Sequence, residues 1–222
     1  MADLAYRTLV YVHLLLFVLW LGADVGVFVL GQHFRRRAVY DLPQRLVLLK
    51  LLVTVDMVPR TAWVLMVPVS LSVAAGGGWA VVPGGVIGAA WGVAAAWLWL
   101  VWDAHLHDQT PRAKRDRRIE FWLKIGLTLG YLGLGGFWLA TGSVPEWLAL
   151  KALMFGAIFA AAIMIDVAFR PVGPLLMWLI ADGSRDATEL PLLKVMNRTR
   201  LWVWAVYALL VATSWLGTVK PG

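Results

Sequence analysis

The chain has 222 residues, of which 61% are hydrophobic and 15% charged, with 14 Trp and no Cys. Soluble domains run nearer about 45–50% apolar and about 25% charged, and disordered chains are poor in apolar residues, so this composition excludes both. Without Cys there is no disulfide framework and no thiolate metal or redox site. The net charge of +7, from 20 Lys+Arg against 13 Asp+Glu, becomes a question of which side of a membrane the cations occupy.

A hydrocarbon core roughly 30 Å thick takes about 20 helical residues to cross. The first apolar run, 6–30, is followed by cations rather than preceded by them and lacks a small-residue cleavage pattern, so it reads as a retained span. The segment after it, 43–55, reads as an interfacial amphipathic helix with Arg45 and Lys50 toward headgroups, and Pro59 supplies a break before the next span. Further spans follow at 56–75, 82–105, 121–141, 146–169 and 201–219, and Pro171–Ala181 reads as a second interfacial stretch. The blocks are continuously apolar, which favours helices over the alternating strands of a barrel. The expectation is an all-α polytopic membrane protein, residues 1–222 forming one six-helix transmembrane bundle.

Three connections are rich in cations: Arg35, Arg36, Arg37, Arg45 and Lys50; then Arg112, Lys114, Arg115, Arg117 and Arg118; then Arg170, Arg185, Lys194, Arg198 and Arg200. The two intervening loops, 76–83 and 142–145, have none. The positive-inside rule puts the basic loops in the cytoplasm and both termini outside, in a cytoplasmic (inner) membrane. The +7 is then a belt facing anionic lipid, and no basic–aromatic motif points to nucleic acid. Gly84, Gly88, Gly92 and Ala96 in the third span, and Gly126, Gly130 and Gly133 in the fourth, are expected to be helix-packing stripes. Trp20, Trp79, Trp122 and Trp147 are expected as interface anchors.

Ionisable side chains inside spans are costly and therefore point to function. His13 and Lys151 fall at matched depth toward the outer side. A neutral imidazole there can ligate haem iron or a metal, or relay protons. A second group, Asp24, Asp56, Arg60, Asp103, His107, Lys124, Asp166 and Arg170, lies toward the cytoplasmic side. Asp56/Arg60, Asp103/His107 and Asp166/Arg170 are each four residues apart and can pair within a helix. This group reads as structural salt bridges, as a proton path, or as an anion site built on Arg60 and Lys124.

The stretch HLLLFVLWLGADVGVFVL (13–30), WLALK (147–151) and the closing segment MNRTRLWVWAVYALLVATSWLGTVKP (196–221) resemble the HemJ-type protoporphyrinogen IX oxidases and the related CopD-like membrane proteins. DMVPRTAWVLMVPVSLSVAAGG (56–77) is similar to the second helix of relatives in that superfamily. The resemblance implies haem b or a porphyrin, with His13 as axial and metal ligand and Lys151 as the family's lysine. It implies electron or proton transfer, with quinone as an additional partner. Lys151, Asp24 and Arg60 are then the candidate catalytic residues, and His13 and Lys151 the cofactor-binding ones. The chain departs from the family in its larger number of spans and in lacking a later His in the Lys-bearing helix. Two other readings stand beside it: a CopD-like carrier of metal, protons or small anions, and a non-catalytic subunit of a homo-oligomer or larger membrane complex.

Overall fold

The computed structural model describes residues 2–221. Among them there are eight helices and no strands: α1 (Ala2–Phe34), α2 (Leu42–Val55), α3 (Met57–Gly76), α4 (Gly84–Leu106), α5 (Pro111–Thr141), α6 (Glu146–Phe169), α7 (Val172–Asp182) and α8 (Asp186–Val219). Six helical stretches are long and apolar enough to cross a membrane, with α2–α3 and α6–α7 each counting as one.

The apolar blocks set the helices, but local chemistry sets where they begin and end. Asp41 accepts from the Gln44 backbone while Gln44 reaches back, a capping box that starts α2. Thr110 accepts from the Ala113 backbone and Pro111 fills the first turn, which starts α5 ten residues earlier than the apolar pattern alone indicates. Gly142 and Gly183 end α5 and α7 in backbone conformations with positive φ that a side chain would strain. As a result, Arg112, Lys114, Arg115, Arg117 and Arg118 ride on α5, and Lys194, Arg198 and Arg200 ride on α8, rather than lying in loops. At 1.5 Å per residue α1, α5 and α8 each measure roughly 45–50 Å, longer than the roughly 30 Å of a hydrocarbon core.

Residues 42–55, expected as an interfacial helix, form α2, which packs on α1. α2 and α3 run in line, antiparallel to α1, with a break at Asp56. Pro59 has no N–H to return to Val55, which interrupts the ladder there. The register with α1 is continuous: Gly76 packs on Tyr6, Trp63 on Trp20, Val55 on Gly26 and Leu52 on Gly31.

The long apolar helices form a ring in the order α1, α3, α4, α5, α6, α8. It closes where Phe28 meets Trp204 at 5.2 Å and Tyr207 donates to the Asp24 carbonyl at 2.9 Å. The core inside it is aromatic, with Trp20, Trp63, Trp97, Phe155 and Phe159 buried together. Trp20 and Trp147 are therefore core residues and not interface anchors, while Trp122 does face outward.

The glycine stripes also differ from expectation. A Cβ added at Gly84, Gly88, Gly92, Gly126, Gly130 or Gly133 meets nothing within 4 Å. Close packing falls on Gly135 and Gly156 instead. A Cβ at Gly135 would stand 2.7 Å from the Leu153 side chain and 2.9 Å from the Ala149 carbonyl, and one at Gly156 would stand 2.9 Å from Leu132. These two glycines let α5 and α6 approach closely.

At the basic end a smaller core of Phe34, Val172, Leu179 and Leu192 joins α1, α7 and α8, with Leu42 and Leu49 of α2 against it. Arg45 and Glu189 are buried beside it, 1% and 0% exposed, and form a two-pronged ion pair at 2.5 and 3.0 Å. Arg45 also donates to the Phe34 carbonyl, and Ser184 to Glu189, each at 2.6 Å. Arg45 thus points inward, contrary to the headgroup-facing role expected from amphipathicity. Pairing satisfies its charge in a way that periodicity cannot show.

Candidate functional site: a buried polar column

The inward face of α5 carries Asp116, Glu120, Lys124 and Thr128, one helical turn apart and all buried. Residues at i and i+4 share a face, so this spacing stacks them into a column along the bundle. Tyr131 continues it, with its hydroxyl buried and directed at Ser70 of α3.

Other helices bring their charges to this column. Lys124 holds two carboxylates at 2.9 Å each, Glu120 on its own helix and Asp166 on α6, and its ammonium lies 5.3 Å from the Trp63 ring centroid. Arg60 donates to Asp56 at 2.6 Å and faces Glu120 and Asp166 as well. Asp24 of α1 lies within electrostatic reach of Asp56 and Arg60. The structure therefore gathers four carboxylates, Asp24, Asp56, Glu120 and Asp166, around two cations, Arg60 and Lys124. Charges in such surroundings need partners, and here acids outnumber bases.

Of the pairs expected within single helices, Asp56/Arg60 forms, and His107 Nδ1 approaches Asp103 at 3.3 Å. Asp166/Arg170 does not form. Asp166 turns to Lys124, and the Arg170 guanidinium lies over the Phe121 ring at 5.3 Å. Arg60 and Lys124 are both engaged by acids, which leaves no free pair of cations for an anion. His33 bonds to the Tyr40 hydroxyl at 2.9 Å and is not brought to His107.

Toward the opposite end, His13 and Lys151 lie within electrostatic reach of each other, as their matched depth suggested. Lys151 directs its ammonium at the backbone of Gly217, where a Cβ would collide with it. That is the last turn of α8, whose carbonyls lack helical partners and whose dipole favours a cation. Lys220, which also faces Lys151, lies 3.9 Å above the Trp79 ring. His13 Nδ1 is buried without a hydrogen-bond partner.

Among the described residues no three His, Asp or Glu side chains come together as a metal site. Two open surface depressions lie against Arg198–Ala205 of α8 and against Tyr40–Leu48, and neither is lined by His13 or Lys151.

Among the described residues, five buried polar atoms find no hydrogen-bond partner: His13 Nδ1, Trp63 Nε1, Trp97 Nε1, Tyr131 Oη and Asp116 Oδ2. Trp97 is aimed at Glu120, and Tyr131 at Ser70, without reaching full hydrogen-bond geometry. All but His13 Nδ1 fall along the aromatic core and the column, and a folded protein ordinarily leaves few such buried atoms unsatisfied.

Asp116 and Glu120 were not singled out by sequence reasoning, because they sit in the run PRAKRDRRIE and read as part of a basic loop. Their spacing from Lys124, eight and four residues, was the available signal. Comparisons with protein-family models, curated proteins and solved structures return no match for this chain.

Proposed function

We propose that the chain is an integral membrane protein of the cytoplasmic membrane that moves protons, or a solute coupled to them, along its interior. The six apolar helices support insertion. The clustering of Lys and Arg at one end of the bundle supports placing that end in the cytoplasm and both termini outside.

The observation that carries the reading is the α5 column with its surplus of acids. Asp116, Glu120 and Lys124 are buried on one face, and Glu120 and Asp166 compete for one ammonium. A carboxylate without its own cation can be neutralised by a proton, and titratable groups at hydrogen-bond spacing hand protons on. From the basic end the column runs Glu120, Lys124, Thr128 and Tyr131 with Ser70, while His13 and Lys151 lie toward the opposite end. At 1.5 Å per residue Glu120 to Tyr131 spans roughly 16 Å.

Reconstitution in liposomes containing a trapped pH-sensitive dye tests this. With a potassium–valinomycin potential, the wild type is expected to acidify the lumen at least tenfold faster than empty liposomes. Glu120→Gln is expected to abolish the difference. Wild-type protein no faster than empty liposomes at either polarity would refute proton conduction. An absorbance spectrum of the same preparation decides the redox alternative. A Soret band lost in His13→Ala would replace the proton reading with haem held between two subunits.

A further inference from the structure

Between the charged residues of the basic end and the His13–Lys151 end lie the aromatic side chains of the core. On α1, Trp20 stands one turn from Asp24, and His13 two turns beyond Trp20. On α3, Trp63 stands one turn past Arg60, and on α5, Tyr131 stands two turns past Lys124. On α6, Phe159 and Phe155 fall between Asp166 and Lys151, and α4 adds Trp97, which precedes Asp103. Each of these five helices thus sets an aromatic side chain on the same side of its charged group.

The rings touch. Trp63 meets Phe159 at 4.8 Å, Trp97 at 5.4 Å and Trp20 at 6.0 Å between ring centroids. Phe159 meets Phe155 at 5.2 Å, and Trp97 and Tyr131 at 6.0 Å each. Phe155 is also reached by Tyr131 at 4.8 Å and by Trp20 at 6.3 Å. These are contact separations for stacked and edge-on rings. The Trp and Phe side chains are all buried, Phe159 completely, and Trp63 and Phe159 join the rings of neighbouring helices into one layer. The Lys124 ammonium, 5.3 Å from the Trp63 centroid, marks where the polar column meets it.

An apolar constriction repels water, and a cation crossing it must shed its hydration shell without receiving replacement ligands. A proton needs no such passage where a group in the layer can both accept and donate one. An indole N–H only donates and a phenyl ring has no donor or acceptor, whereas a phenol does both. Of these rings only Tyr131 carries a hydroxyl, and that hydroxyl is buried.

We propose that this aromatic layer is the selectivity barrier of the protein, closed to hydrated monovalent cations by Trp63 and Phe159 and crossed by protons at the Tyr131 hydroxyl. The inference rests on the proton-moving reading above. In the crossing step an O–H bond forms on the Tyr131 oxygen with a proton from the column side, and its original O–H bond breaks and releases a proton toward the opposite end. The phenol is left neutral, as it began.

The experiment uses the full chain in liposomes with a trapped potassium-sensitive dye and an inward potassium gradient. Valinomycin is omitted, and a protonophore in every sample keeps charge balance from limiting entry. Wild type is expected to admit potassium no faster than empty liposomes, and Phe159→Ala and Trp63→Ala about tenfold faster. Phe159→Leu and Trp63→Phe keep the core better filled, cover the case in which the alanine variants do not fold, and are expected to admit potassium at intermediate rates; helical content and elution volume check folding. Tyr131→Phe keeps the ring and removes the hydroxyl, so it is expected to exclude potassium like wild type and, in the proton assay without protonophore, to lose the flux. Potassium entry through the wild type overturns the barrier. Potassium exclusion by every folded Trp63 and Phe159 variant overturns the assignment of those two residues. Wild-type proton flux in Tyr131→Phe overturns the crossing role. If the wild type moves no protons, the functional reading fails instead, and the potassium result still decides whether the layer is a barrier.

Discussion

Arg45 and Glu189 fasten the basic end of the bundle, and the strength of that fastening can be worked from the contacts. Replacing Arg45 with Met keeps most of the aliphatic volume and removes three charge-assisted hydrogen bonds, two to Glu189 and one to the Phe34 carbonyl. Glu189 stays buried, with Ser184 as its remaining donor. Breaking a buried pair by removing one partner costs about 3–5 kcal/mol, because the other charge is stranded. Removing both charges at once strands nothing, so Arg45→Met/Glu189→Leu is expected to be about 2 kcal/mol more stable than Arg45→Met alone. Unfolding in detergent, followed with trypsin cleavage at Arg185 in the exposed turn between α7 and α8, measures both quantities. An Arg45→Met variant within about 0.5 kcal/mol of wild type, or an additive double-mutant cycle, would refute the buried pair and restore an Arg45 that faces headgroups.

The glycines give a paired test of the α5–α6 approach. Gly156→Leu is expected to cost at least about 1–3 kcal/mol by overpacking against Leu132, whereas Gly88→Ala, with open space around it, is expected to be neutral or to gain up to about 1 kcal/mol in helix propensity; thermal unfolding of both in detergent checks the order, and equal losses would refute it. Because the chain has no Cys, single cysteines report topology cleanly. Val39→Cys in the α1–α2 loop is expected to resist an impermeant maleimide added to intact cells, and Ser143→Cys in the α5–α6 loop to react; the opposite pattern would invert the proposed orientation.

The long apolar helices were legible because continuous apolar blocks of about twenty residues form helices rather than alternating strands. The α3 expectation of 56–75 and the α6 expectation of 146–169 match the observed helices almost residue for residue. The helical extensions were not legible, since PRAKRDRRIE and the start of α8 present no apolar period, and their caps are two or three residues long. Depth in the sequence did place His13 with Lys151 and Asp24 with Asp56 and Arg60. What it lacked was partner choice between helices. Lys124 takes Asp166 across 42 positions, and Arg45 takes Glu189 across 144, and nothing local in either sequence window distinguishes these from a solvated surface charge. The glycine stripes erred for a related reason: small residues permit close approach, but only a neighbour of matching shape makes use of it, as at Gly135 and Gly156.

Under the proposed function, Lys124 supplies the bistable element that a relay requires. Its ammonium sits 2.9 Å from both Glu120 and Asp166, so neither acid holds it exclusively. The two acids differ in surroundings: the Glu120 side chain is 9% exposed and that of Asp166 35%. When a proton arrives on Glu120, the ammonium loses one of its two anions and the remaining attraction is to Asp166. When Asp166 takes the proton, the attraction reverses. Either exchange needs only a small displacement of a flexible side chain and leaves the helices where they are. A proton that passes between Glu120 and Asp166 leaves the net charge of the three groups unchanged, which keeps the electrostatic cost of that step low. A rigid, fully matched salt bridge would hold the bundle equally well but would offer no second arrangement. Under that proposal the surplus of acids around Arg60 and Lys124 serves proton traffic, since replacing such networks with apolar side chains is often neutral or favourable for stability alone.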